Sequence, residues 1–184
     1  MIRNSMVALA AAAASLTTSS ADAQRFYARE NLNRNATASA PAAKPEEPAT
    51  GMTATAIVLT SSIGDCIQVA ELEVLSGGRN VAAASSGGRA SAQDIWSNES
   101  TADKAIDGVK PASYPNIYHS ACRGDSYLRV DFASPAKVQS VIAYGRADGW
   151  QGRDTFVYQL FSGSTVIGGG TIDARSGSGS STPS

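Results

Sequence analysis

The chain predicts an all-β fold, and two observations carry that prediction. Short runs rich in Val, Ile, Phe and Tyr alternate with stretches of Gly, Ser, Asn and Pro, which is the pattern of strands separated by turns. No stretch of the 184 residues sustains an apolar period of 3.6 with caps, so long helices are not expected.

Taken in order, Met1 to Ala23 has the parts of a secretory signal peptide. Arg3 gives the positive start, Met6 to Leu16 a short apolar run, and Ala21-Asp22-Ala23 a small-residue cleavage site. That run falls short of the ~20 apolar residues a membrane-spanning helix needs, so the expected location is secreted or periplasmic, without membrane insertion. Residues 24–53 carry few large apolar side chains, and Pro41, Pro45 and Pro48 break any helix the alanines favour, so the segment reads as a disordered linker. Residues 54–175 make one domain of about 120 residues, enough for a core of its own.

Within that domain the strand runs are Ala56–Leu59, Ile67–Val74, Tyr127–Phe132, Val138–Tyr144, Phe156–Phe161 and Thr165–Ile172. In the second of these the apolar face switches at Ala70, as a β-bulge would make it do. One short helical turn is expected at Thr101–Ile106, before Asp107-Gly108. Gly168-Gly169-Gly170 lacks the Lys-Ser/Thr of a phosphate loop and reads as a turn or bulge between strands. Residues 176–184, Ser/Gly-rich with one Pro, read as a flexible tail.

The formal charge of −1 gives no basic face for neutralising phosphates, so a nucleic-acid partner is not expected. Motifs of nucleophile-elbow hydrolases, zinc proteases and phosphate-binding loops are missing from the sequence, and no pair of carboxylates stands out as a glycosidase pair. The expectation is a binding protein, not an enzyme. Two cysteines, Cys66 and Cys122, together with the export signal predict one disulfide.

The stretch holding the functional expectation begins at His119, the only histidine. After twenty-six intervening residues comes Arg146-x-Asp148, and after four more intervening residues Arg153. Two guanidiniums and an imidazole offer many directed donors, which suit the hydroxyls of a sugar, and Asp148 is placed to orient an arginine. Ala105-Ile106-Asp107-Gly108 lies upstream, and Leu128-Arg129-Val130-Asp131-Phe132 lies between.

This set of residues resembles the F-type lectins, fucose-binding members of the discoidin-like, galactose-binding-domain-like group. The resemblance implies a jelly-roll β-sandwich in which His119, Arg146 and Arg153 hydrogen-bond L-fucose or a sugar with a similar axial hydroxyl. Many members have adjacent cysteines just after the Arg-x-Asp; here Gly149-Trp150 stands in their place, and Trp150 is expected to be the platform for the sugar's apolar face. The family also implies a structural calcium ion, for which Asp107 and Glu71 match the carboxylate ligands. Lys104 and Val109 stand where members tend to have Asn, which leaves open a second reading: the Lys104 ammonium replaces the cation between the two carboxylates. The strands resembling the family's last two come first here, as in a circularly permuted domain. Family members also often join the regions equivalent to Cys66 and Cys122.

The expected partner is therefore a glycan, fucosylated or similar. A single shallow site binds weakly, so avidity would come from homo-oligomers or clustered ligands. Two rivals stand beside this reading: a discoidin-like adhesion or assembly module binding a protein or envelope component, and the same site taking an anionic sugar through its two arginines.

Overall fold

A computed structural model describes residues 51–184; the expected signal peptide and the linker up to residue 50 lie outside the described residues. Ten strands follow one another: β1 (Met52–Ser61), β2 (Gln68–Ser76), β3 (Arg79–Asn80), β4 (Arg89–Ala92), β5 (Tyr118–His119), β6 (Tyr127–Val138), β7 (Ser140–Gly145), β8 (Thr155–Ser162), β9 (Thr165–Asp173) and β10 (Ser178–Ser181). They form two antiparallel sheets, one in the order β4-β6-β1-β8-β9 and the other β10-β7-β2-β3 with β5 added to β2. The chain is thus an all-β sandwich, as its alternating runs predict.

The core lies between the sheets. In the first sheet Ile57 stands opposite Val130 and Leu160, and Leu59 opposite Leu128 and Tyr158. In the second, Leu72 pairs with Ala143 and Val74 with Val141. All of these side chains are essentially fully buried, and burying each large one contributes about 1.5–3 kcal/mol. The pairing register of β2 with β7 shifts between Val69 and Glu71. The expected bulge at Ala70 is therefore present. It lets Val69 and Leu72 both serve the core and turns Glu71 and Glu73 to the other face.

That other face is covered by the segment between β4 and β5. It holds the 3₁₀ turn Ala102–Ala105, inside the Thr101–Ile106 stretch where a turn was expected. It then crosses the sheet, where Ala112 and Ile117 pack on Ala70 and Tyr144 in a small second cluster. Gly108 N–H donates to Glu71 Oε2 (3.0 Å), and Lys110 pairs with Glu73 while lying over the Tyr144 ring.

Three expectations need correction. The tail at 176–184 is not a loose end, because Ser178–Ser181 pairs with Val141–Tyr144 as β10. Its Ser/Gly composition hid this: a strand at a sheet edge is held by its main chain, and here the absence of a side chain is a requirement, since a Cβ on Gly179 would overlap the Asp173 carbonyl. The sandwich accordingly runs past Arg175, and at its other end β1 begins at Met52 rather than after the linker boundary at residue 53. Gly168, Gly169 and Gly170 lie inside β9, paired with Leu160, Gln159 and Tyr158, and the register shift falls just before them.

The β1–β2, β5–β6 and β7–β8 connections emerge at the same end of the sandwich. The register requires it: the end of β1 meets the starts of β6 and β8, and the start of β2 meets the end of β7.

Candidate functional site

The loops at this end enclose a hollow of about 260 Å³. His119, Arg146, Trp150 and Arg153 all contribute to its lining, so residues scattered over 35 positions of sequence are brought together. Each arrives by a different route. His119 is held in β5 opposite Gln68, Arg146 follows the last residue of β7, and Trp150 precedes the 3₁₀ turn Gln151–Arg153 that Arg153 ends.

Arg146 is buried, with 8% of its surface exposed. Its Nε and Nη2 donate in a two-pronged pair to Asp148, the Nη2–Oδ2 distance being 2.6 Å. This is the orienting role expected of Asp148, and the guanidinium beside it holds the Asp148 carboxyl below the usual range. Beneath Arg146 lies Asp154, fully buried, whose Oδ2 accepts from Arg146 main-chain N–H (2.9 Å). A side chain at Gly145 would run into this carboxylate, so the glycine is what admits it. Burial pushes the Asp154 pKa up to about 7, against the lowering effect of the Arg146 N–H and guanidinium.

Gln68 links these groups. With the orientation assigned from its neighbours, its amide oxygen accepts from Arg146 Nη1 (3.1 Å) while its nitrogen donates to the Trp150 carbonyl and Asp154 Oδ1 (both 3.3 Å). The same oxygen lies 3.0 Å from His119 Nε2, and His119 Nδ1 lies 2.8 Å from the Ser120 carbonyl. Two facing acceptors invite a proton on each ring nitrogen. Burial resists the second proton and lowers the imidazole pKa, with the Arg146 and Arg153 charges adding to the effect. Both nitrogens of His119 are thus engaged within the chain, a difference from the expectation that one is free for a ligand. Its ring is also packed against Trp96 (centroids 5.5 Å apart) and edge-on to Tyr114 (6.0 Å).

Arginine carries five N–H donors, and Arg146 spends three on Asp148 and Gln68, leaving two. Arg153 is more open, its side chain 44% exposed and, among the described residues, tethered by 3.4 Å contacts to Asp65 Oδ1 and Cys66 Sγ. Trp150 is 63% exposed on the wall of the hollow.

The sequence reading missed four contributors. Trp96 and Tyr114 add two more aromatic walls, and Trp96 is 58% exposed. Gln68 adds a polar group to the lining, and Asp154, buried behind it, holds Gln68 and the Arg146 main chain. Trp96 could have been noticed, since a tryptophan within the polar stretch Gln93 to Ser100 has no strand to belong to. Nothing local marks Gln68 or Asp154. Cys66 and Cys122 form the expected disulfide, and it too lines the hollow.

On the covered face of the second sheet, Glu71 is 1% exposed and has one N–H partner, that of Gly108. Burial, with Asp107 and Glu73 nearby, pushes its pKa up to about 7 against the effects of that N–H and of Lys110. Asp107 accepts from Val109 N–H (2.9 Å). A buried carboxylate with one N–H partner among the described residues, beside a second acid on a loop, supplies two of the hard oxygen donors that Ca²⁺ prefers. The Lys104 reading is not supported: among the described residues Lys104 makes no ion pair, and the lysine near these acids is Lys110, on Glu73.

Comparison of the chain with protein-family models, with curated proteins and with solved structures finds no match.

Proposed function

We propose that the chain is a carbohydrate-binding module of the F-type lectin kind, in permuted order, and that the hollow takes L-fucose or a sugar of similar axial-hydroxyl geometry. The observation that carries this reading is the convergence of Arg146, Arg153, His119 and Trp150 on one small hollow. The unspent donors of Arg146 and Arg153 hydrogen-bond the ring oxygen and hydroxyls. Trp150 packs the apolar face of the sugar, with Trp96 and Tyr114 closing the sides. His119 contributes its packed ring and holds Gln68, and through it Arg146, in place.

Charge balance favours an uncharged ligand over the anionic rival. Each guanidinium already faces a carboxylate, Arg146 with Asp148 and Arg153 with Asp65. A ligand carboxylate would add a third negative charge to a pair of guanidiniums already matched by two.

A structural calcium ion at Glu71 and Asp107 belongs to the same proposal. Its chemistry there is charge neutralisation, fixing the segment that carries Tyr114. Secretion or export to the periplasm is proposed from the signal-like start of the sequence.

The test is calorimetric titration of the protein with L-fucose, galactose and a uronic acid at two salt concentrations. The reading predicts fucose binding that changes little with salt. Binding of the uronic acid alone, collapsing as salt rises, would move the assignment to anionic sugars. No sugar binding by the folded protein would favour an adhesion or assembly role.

A further inference from the structure

Just before β6 the chain reads Arg123-Gly124-Asp125, three residues that stand exposed to solvent and take no part in lining the hollow. Arg123 and Asp125 put opposite charges on one apex, and neither forms an ion pair with the other or with any described residue. We propose that this turn is a protein-docking site, whose partner presents a bound divalent cation to the Asp125 carboxylate and an acidic side chain to the Arg123 guanidinium. The proposal is independent of the sugar-binding reading.

The fold presents these residues in a fixed shape. Ser126 N–H donates to the Arg123 carbonyl (3.1 Å) and Arg123 N–H donates to Ser126 Oγ (3.2 Å), so the turn is closed by main chain and side chain together. Both of its ends are anchored. Cys122 is tied by the disulfide to Cys66, and the buried Ser126 hydroxyl donates to Asp94 (2.9 Å) before β6 begins at Tyr127. A side chain begun at Gly124 would have only the Gly64 carbonyl oxygen near it, at 3.7 Å, so the apex is open to a partner. A turn already in shape loses little freedom on binding.

The two charges set the partner's chemistry. Gln93 Nε2 donates to Asp125 Oδ2 (3.1 Å), which fixes the carboxylate and leaves Oδ1 without a hydrogen bond among the described residues. Divalent calcium and magnesium take about six oxygen ligands or more, and among the described residues Asp125 belongs to no group of three metal-ligating side chains. The cation therefore comes on the partner, with Asp125 completing its shell. The planar fork of Arg123 donors matches a carboxylate beside that cation. A polyanion such as a nucleic acid would lose at Asp125 what it gains at Arg123.

The experiment measures binding of the full chain, in fixed calcium and magnesium, to an immobilised integrin of the kind that takes Arg-Gly-Asp peptides through a metal-bound carboxylate. Integrins carry glycans, so each titration is repeated with excess L-fucose and with a cyclic Arg-Gly-Asp peptide as competitors. The wild type is expected to bind, to be displaced by the peptide and to be unaffected by fucose. Asp125→Asn keeps an acceptor for Gln93 and removes the charge. It and Arg123→Ala should each bind at least ~30-fold more weakly, the effect of truncating one member of a charge pair across an interface, with the melting temperature unchanged. No binding by the folded wild type overturns the proposal. Binding that resists the peptide, or that survives undiminished in either variant, overturns it as well. Binding that fucose abolishes also overturns it and assigns the contact to the sugar hollow.

Discussion

Arg146 and Arg153 occupy the same hollow and answer to different physics, so their removal should have different consequences. Arg146 is buried and holds Asp148 and Gln68; Arg146→Ala leaves polar groups without their cation, which costs about 3–5 kcal/mol when a buried pair is broken. Binding and melting temperature should both fall. Arg153 is exposed and weakly tethered, so Arg153→Ala should abolish measurable sugar binding while lowering the melting temperature by no more than about 4 °C, since an exposed pair stabilises by about 1 kcal/mol at most. Calorimetry and thermal melting on the two variants separate these outcomes; equal loss of fold in both would show that Arg153 is structural.

Glu71 gives a prediction in pH. Its pKa is raised by burial from 4.5 to about 7 in the folded chain, so the folded state holds its proton where the unfolded state has released it. The stability this group contributes is full below about pH 4.5 and is lost as pH rises through 7. His119 works the other way, its lowered pKa removing stability as pH falls through the ordinary imidazole range. Comparison with Glu71→Gln isolates the acid. In chelator, the variant should melt near the wild type at pH 5 and above it at pH 8. A constant difference across that range would mean the carboxylate is solvated.

At the level of elements, strands with large branched side chains were legible and strands without them were not. β1, β2, β6, β7, β8 and β9 all carry Val, Ile, Leu or Phe at core positions, and the Ala70 bulge showed itself because both flanking faces have clear polarity. β4 reads Arg-Ala-Ser-Ala and β10 Ser-Gly-Ser-Ser, sequences whose pairing is decided by the neighbouring edge. Deleting residues 176–184 tests this. It uncovers β7 and removes the Ser181 partner of the Tyr158 hydroxyl, so the melting temperature should fall by several degrees. An unchanged melt would return the tail to the role its composition suggested. The segment from Ala102 to Ile117 offers a second test at this scale. If Glu71 and Asp107 hold calcium, adding calcium raises the melting temperature and chelator lowers it, with the effect absent in Glu71→Gln.

For the molecule as a whole, the disulfide is the one covalent tie between the β1–β2 loop and the loop after His119. It closes a span of 56 residues, for which chain entropy gives about 4 kcal/mol. A Cys66→Ser, Cys122→Ser variant should therefore melt well below the wild type, and it should also bind more weakly, because both cysteines line the hollow. The candidate site was legible in part for a reason of the same scale. Arg146, Asp148, Trp150 and Arg153 are close in sequence and His119 is unique, whereas Gln68, Trp96 and Tyr114 reach the hollow only because separate connections end at one pole of the sandwich.

The most direct measurement is an NMR titration with L-fucose that follows the indole N–H signals of Trp96 and Trp150 and the Nε–H signals of Arg146 and Arg153. The account predicts that all four move together along one binding curve, and that the side-chain amide of Asn80, in β3 beside the far end of β2, stays still. Signals unmoved at high fucose concentration, or moved only at sites away from the hollow, would contradict it.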